Sequence, residues 1–277
     1  MSRNLDQKTV AGFGDEWSHF KQDELSQSEH ERLFQRYFSN FPWHLIDAHT
    51  TGFDLGCGSG RWAKLVAQRV GKLHCIDASE KALAVAKNNL SQLSNCEFHH
   101  SSVDAIPLTN NSMDFGYSLG VLHHVPDTQA GIQACVDKLK PGAPFLLYLY
   151  YALDNKPLWF RWLWRASNLA RILISRFPHG LKTATCNLIA LTVYLPLAIV
   201  ARVLQTMKIP TRLIPLASYS DTSFYTMKTD AYDRFGTRLE QRFTQDEMRK
   251  MMKNSGLERI QFNENIPYWC AVGYKKS

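Results

Sequence analysis

FDLGCGSGRW, residues 53–62, joins a short apolar run to a helix-forming one. TGFDLG before it reads as a strand, and RWAKLVAQRV after it as a helix ended by Gly71. Gly56, Gly58 and Gly60 let the backbone turn sharply and let a ligand approach the main chain where the helix begins. The dinucleotide fingerprint needs its third glycine one position later, so a nicotinamide-dependent oxidoreductase fits this spacing less well. A second strand, KLHCID, follows the helix and ends at Asp77, where a carboxylate can accept from both hydroxyls of a ribose.

Outward from this turn, strand and helix keep alternating. SEKALAVAKNNL is a helix with Ser79 as N-cap, CEFHH a third strand, SMDFGYSLG a fourth, DTQAGIQACVDKL a helix, and APFLLYLYY a fifth strand after the turn KPG. This rhythm predicts an α/β chain, a Rossmann-like doubly wound, mostly parallel sheet. Residues 1–50 read as a helical cap, with Leu33, Phe34, Tyr37, Phe38 and Phe41 at helical spacing before Pro42. The rhythm stops after residue 154 and returns at 241 with FTQDEMRKMMKNSG, whose capping box spans Thr244 and Glu247. LERIQF and YWCAVGYK then close the sheet. The expected organisation is a cap (1–50), a core (51–154 and 241–277) and a helical insertion (155–240) before the last helix and closing strands.

At 277 residues, 45% of them hydrophobic, the chain has material for a packed core. The start MSRNLDQKTVAGFGDEW is polar and of mixed charge, unlike a secretory signal, so a cytoplasmic location is expected. The six cysteines form no C-x-x-C pair and read as free thiols. His44, His49, His99 and His100 show no ligand spacing with a third donor, so no metal site is expected. The net charge of +7 is local: residues 155–220 hold nine Lys and Arg and no Asp or Glu, so the rest of the chain sums to −2. Such asymmetry concerns the partners of one segment.

DLGCGSG, the acidic end of the second strand, VDAIPLTNNSMDFGYSLGVLHHVPD and LKPGAPFLL together resemble the class I S-adenosylmethionine-dependent methyltransferases, in particular the small-molecule group that includes quinone-biosynthesis enzymes. DRFGTRLEQRF, a helix and PYWCAVG resemble bacterial stand-alone methyltransferases associated with cell-surface glycans. The resemblance covers residues 51–152 and, more faintly, 243–274. It implies S-adenosylmethionine as cofactor, with its methionine part against Gly56, Gly58 and Gly60 and with Asp54 nearby. Asp77 and Ala78 would hold the ribose, Val103 and Asp104 the adenine, and Leu119 would touch the sulfonium. Trp17, in GDEW, is either a lid over this site or a packing residue.

Methyl transfer to oxygen needs an aligned acceptor, a dry site and a base for the hydroxyl proton. His123 and His124, just beyond the fourth strand, are the candidate bases, with Tyr150, Tyr151 and Asp154 as alternatives. Tyr150, Tyr225, Tyr232, Asp233 and Arg234 are expected around the acceptor. No Asn/Asp-Pro-Pro-aromatic motif follows the fourth strand, and the positive charges run through apolar stretches, so a nucleic-acid substrate is not expected. The expected function is O-methylation of a small or lipid-linked acceptor; the other class is a cofactor-fold binding protein without chemistry. In WFRWLWRASNLARILISRF, Trp159, Trp162, Leu163, Ala166, Leu169, Ala170, Leu173, Ile174 and Phe177 mark one apolar helix face with Arg161, Arg165, Arg171 and Arg176 off it. Nineteen uncharged residues, 183–201, follow. This face suits a buried lid over the acceptor, a homodimer seam, or peripheral contact with an anionic membrane.

Overall fold

The computed structural model describes residues 4–22 and 24–277. Helices α1 (Gln7–His19) and α2 (Gln27–Tyr37) precede β1 (Thr51–Leu55); α3 (Ala63–Val66) leads to β2 (Lys72–Asp77) and α4 (Glu80–Asn89) to β3 (Cys96–His100). Strand β4 (Phe115–Leu119) is joined through α5 (Thr128–Lys138) to β5 (Pro144–Tyr148). Then come α6 (Leu158–Ile174), α7 (His179–Ile189), α8 (Leu195–Thr206) and α9 (Phe224–Gly236), and finally α10 (Gln245–Asn254), β6 (Leu257–Phe262) and β7 (Cys270–Lys275). The strands form one sheet in the order β3-β2-β1-β4-β5-β7-β6. Strands β3 to β5 pair in parallel, and β7 runs antiparallel to both β5 and β6. The α/β doubly wound sheet read from the sequence is the fold observed.

Two compact units make up the described chain. The first holds residues 4–22, 31–152 and 239–277, with the whole sheet; the second holds 24–30 and 153–238. In the first unit apolar clusters cover both faces of the sheet. Phe38, Val66, Leu73, Cys75 and Tyr117 lie in one; Phe53, Ile76, Ile132, Phe145 and Met252 lie in the other. Central strands buried on both faces are a mark of parallel sheets and explain why β4 is buried along its length. At the β1–β4 seam Gly52 stands opposite Phe115 and Phe53 opposite Gly116. A Cβ added to either glycine would fall 2.3 Å from the facing ring, so the seam admits no side chain there.

Local signals behave as read at Ser79, which caps α4 through the amide of Ala82, and at the Thr244–Glu247 capping box of α10. The helix expected over residues 61–70 is shorter: α3 has four residues and passes into a 3-10 turn at Ala67–Arg69. The N-terminal region contains two helices, and Asp6 caps the first through the amide of Thr9.

In the second unit α7, a π-turn (Ala190–Tyr194) and α8 run on as one helix, His179–Thr206. Pro196 cannot donate to the carbonyl four residues earlier, and the wider turn just before it accommodates that loss. Helix α9 buries Tyr225, Met227, Ala231, Tyr232 and Phe235. Glu29 accepts from the Ser223 amide and the Thr226 hydroxyl and so ties the start of α2 to the start of α9.

Candidate active site

The site is built at the carboxyl edge of the parallel strands in the first unit, starting from the turn between β1 and α3. Gly56, Gly58 and Gly60 have φ of 77°, 54° and 78°, a region other residues enter at a cost. The amides of Gly56 and Cys57 bond the Ile76 carbonyl at 2.7 and 3.1 Å, and the Gly58 amide donates to Asp77 Oδ2 at 2.9 Å. Asp77 Oδ1 accepts from the Ser79 amide at 2.8 Å. Burial raises the Asp77 pKa, and the Ser79 and Gly58 amides oppose the rise. The indole of Trp17, on α1, lies about 2.9 Å from where a Gly58 Cβ would stand, which sets it over the turn.

Asp54 lies beneath this turn, beside Cys75 on β2 and Tyr117 on β4. Its Oδ2 is buried without a hydrogen-bond partner. Burial holds its pKa well above the usual carboxylate range; the Tyr117 hydroxyl eases this and the Asp77 charge adds to it. Val103 is buried and Asp104 exposed in the 3-10 turn after β3, where Asp104 accepts from the Ser102 hydroxyl. Leu119 ends β4. Gly120 follows at φ 79°, with nothing within 4 Å of the position a Cβ would take.

Beyond Gly120, His123 and His124 sit in a 3-10 turn and both are buried. The His123 ring stacks on Tyr150 at 3.9 Å, and neither of its nitrogens has a hydrogen-bond partner. Burial drives its pKa well below the ordinary value, and His124 and Arg242 push the same way, so His123 is neutral. His124 is held differently: its Nδ1 lies 2.6 Å from the Leu239 carbonyl. That contact places the proton on Nδ1 and makes Nε2 the basic nitrogen. Arg242 lies 5.2 Å over the Tyr150 ring and bonds Glu240 at 2.8 Å. The structure thus adds Gly120, Glu240 and Arg242 to the residues read from sequence. Glu240 and Arg242 belong to RLEQRF, and nothing local to that stretch says that it returns to a strand some ninety residues earlier.

Tyr225, Tyr232, Asp233 and Arg234, expected around the acceptor, lie in the second unit on α9. Tyr225 and Tyr232 are buried there; the Tyr232 hydroxyl is 3.3 Å from His179 Nδ1, and Arg234 donates to Ser167 at 3.1 Å. These contacts lie within that unit. Tyr151 forms a bridge with Phe243, and Asp154 offers its carbonyl to Arg161. Among the described residues one His/carboxylate group could hold an ion: His74, Glu97 and His99, with donor atoms within 4.8 Å of one another. It sits on β2 and β3. Lys72 pairs with Glu97 there, and burial lowers the pKa of both imidazoles.

A glycine turn after the first strand, a carboxylate ending the second and a buried polar group beyond the fourth make this site similar to those of the class I S-adenosylmethionine-dependent methyltransferases. Residues 53–147 match the family described as methyltransferase domain, and this chain carries that domain. Phosphoethanolamine N-methyltransferase 2 of Caenorhabditis elegans is 33% identical over 36% of this chain and 24% of its own length. A ubiquinone biosynthesis O-methyltransferase of Nitrosospira multiformis is 34% identical over 37% of this chain and 42% of its own. The chain therefore spans less than half the length of these curated relatives. In fold it is similar to a chain of the complex between the Haloferax volcanii Trm112 methyltransferase activator and a methyltransferase, with a TM-score of 0.54, 14% identity and coverage of 95% and 98%.

The residues present fit the cofactor: the unpartnered Asp54 oxygen suits a cationic amino-acid end, Asp77 a ribose, and the open flank of Gly120 a close approach. When bound, S-adenosylmethionine supplies an electrophilic methyl group on a sulfonium.

Proposed function

We propose that the protein transfers a methyl group from S-adenosylmethionine to an oxygen of a small or lipid-linked acceptor. The observation that carries this reading is His124, buried beyond β4 with Nδ1 bound to the Leu239 carbonyl. An imidazole so fixed has one nitrogen ready to take a proton, as a hydroxyl acceptor requires when it attacks carbon. His123 is neutral, stacked on Tyr150 and tilted against the His124 ring 3.9 Å away, and its part is to hold both rings in place. The rings of Phe13 and Tyr150 flank the pair, and its burial keeps water out and strengthens each polar contact within. Among the relatives, one is named for an oxygen acceptor and another for a nitrogen acceptor, so the choice of oxygen rests on the base.

The test is methyl transfer from labelled cofactor to matched hydroxyl and amine acceptors. His124→Gln is expected to lower kcat for the hydroxyl acceptor by roughly 10²–10⁴-fold, as loss of a general base does, while leaving cofactor affinity within about twofold. Equal turnover of wild type and His124→Gln, or transfer confined to amines, would overturn the reading.

A further inference from the structure

We infer that the second unit docks on an anionic lipid bilayer through the outward faces of α6 and of the His179–Thr206 helix. The inference does not rest on the methyl-transfer reading. It starts from a reversal of the ordinary helix pattern.

On α6 the apolar stripe faces out. Leu158, Trp162, Leu169 and Leu173, which share one side of the helix, are 69%, 65%, 67% and 62% exposed. The buried side carries Phe160, Ile174 and, in place of an aliphatic residue, Arg171. That guanidinium is satisfied internally by the carbonyls of Thr237 and Arg238, both at 2.8 Å. The second helix repeats the arrangement. Its buried seam is Cys186, Ala190, Tyr194, Ala198 and Ala201, mostly small residues, whereas Leu181, Leu188, Leu191, Ile199, Val200 and Val203 are exposed. Only 28% of its most apolar stretch is buried, where the core helix of a soluble domain would be mostly covered. Small residues at the helix seam with large aliphatics outside is the pattern of helices solvated by lipid. Of the nineteen large apolar side chains exposed among the described residues, sixteen lie between 158 and 213. A patch on that scale marks an interaction surface.

Charge selects the occupant. Residues 155–220 contain no acid, and Arg165, Arg176, Lys208 and Arg212 are exposed at the margins of the apolar faces. Arg165 lies 4.8 Å over the Trp162 ring, so a cation and an interfacial aromatic stand together. An apolar seam between two copies would gain nothing from like charges brought face to face, whereas anionic headgroups neutralise them. The sheet excludes a single crossing, because β5 precedes these helices, β7 follows them, and the two strands pair over Pro144–Tyr148; a return crossing through α6 would carry Arg161, Arg165 and Arg171 into the hydrocarbon. A single crossing would leave those partners on opposite sides. The helices therefore lie in the headgroup and upper acyl region.

The experiment is flotation of the whole protein, without methyl donor or acceptor, with vesicles of phosphatidylcholine alone or with one third phosphatidylglycerol. Binding to the anionic vesicles is expected, with weakening in high salt and little binding to the neutral ones. Leu169→Glu with Leu173→Glu changes only exposed side chains; it should reduce the bound fraction roughly tenfold while the circular dichroism spectrum and cofactor binding stay as in wild type. Arg165→Gln with Arg176→Gln should weaken binding to the anionic vesicles and reduce the salt dependence. Wild type left in the supernatant with both vesicles overturns the inference. So does a stable dimer that forms in solution, is broken by the Leu→Glu pair, and ignores lipid. Because no turnover is measured, failure of the methyl-transfer reading would not affect the outcome.

Discussion

Asp77 fastens the glycine turn to β2 by accepting from the amides of Gly58 and Ser79, and the same carboxylate is the ribose partner in the proposed complex. Asp77→Ala is expected to weaken S-adenosylmethionine binding at least tenfold by calorimetry while the protein still unfolds in one cooperative transition, destabilised by about 1–3 kcal/mol for the two lost charged hydrogen bonds. Asp54 should show the opposite balance. Its carboxyl is buried with one oxygen unpartnered and its ionisation is disfavoured, so Asp54→Asn is expected to keep or raise the melting temperature at neutral pH and to lose cofactor affinity. His123 gives a pH signature. Its folded pKa lies well below its unfolded value, so as pH falls through about 6.5 the unfolded chain takes up a proton that the folded chain refuses, and stability drops. His123→Gln should flatten that part of the stability–pH curve in urea titrations; parallel curves for wild type and variant would contradict the burial argument. The aspartates and His123 could be singled out in the sequence because each lies within or just after a strand, beside its motif. Glu240 and Arg242 were not, because their meeting with Tyr150 is a product of chain return, which no local pattern encodes.

Elements were readable in proportion to how local their causes are. The capping box of α10 and the N-cap of α4 are hydrogen bonds within a few residues, and both form as their sequences suggest. The helix after the glycine turn came out short, although its apolar spacing favoured a longer one. For α6 the periodicity revealed a face but not its direction: the same stripe can be read as core or as surface, and only the burial of Arg171 and Phe160 shows which side packs. The β1–β4 seam offers a test at this scale. Gly116→Ala would drive a methyl group to 2.3 Å from the Phe53 ring and should cost about 1–3 kcal/mol in urea unfolding. Phe53→Leu in the same chain should return part of that loss. If the two changes were simply additive, the steric account of the seam would fail.

For the molecule as a whole, the alternation of strands and helices fixed the sheet's class, and the sudden loss of acidic residues marked where its rhythm breaks. The grouping of residues 24–30 with 153–238 was not visible, because it rests on Glu29 reaching Ser223 and Thr226 across nearly two hundred positions. Strand β7 lies between β5 and β6 although it is the last strand made. During synthesis β5 is complete at Tyr148, yet its antiparallel neighbour begins only at Cys270. At roughly 5–20 residues per second the open edge of β5 waits on the order of ten seconds for its partner. In that interval the apolar helices of the second unit leave the ribosome beside an unpaired strand, and such edges invite pairing with other chains. Nascent chains stalled before residue 270 should therefore be cut by protease within the sheet, while chains released past residue 275 resist; the last strand acts as a timing element that commits the sheet to its fold only after the apolar helices of the second unit have been made.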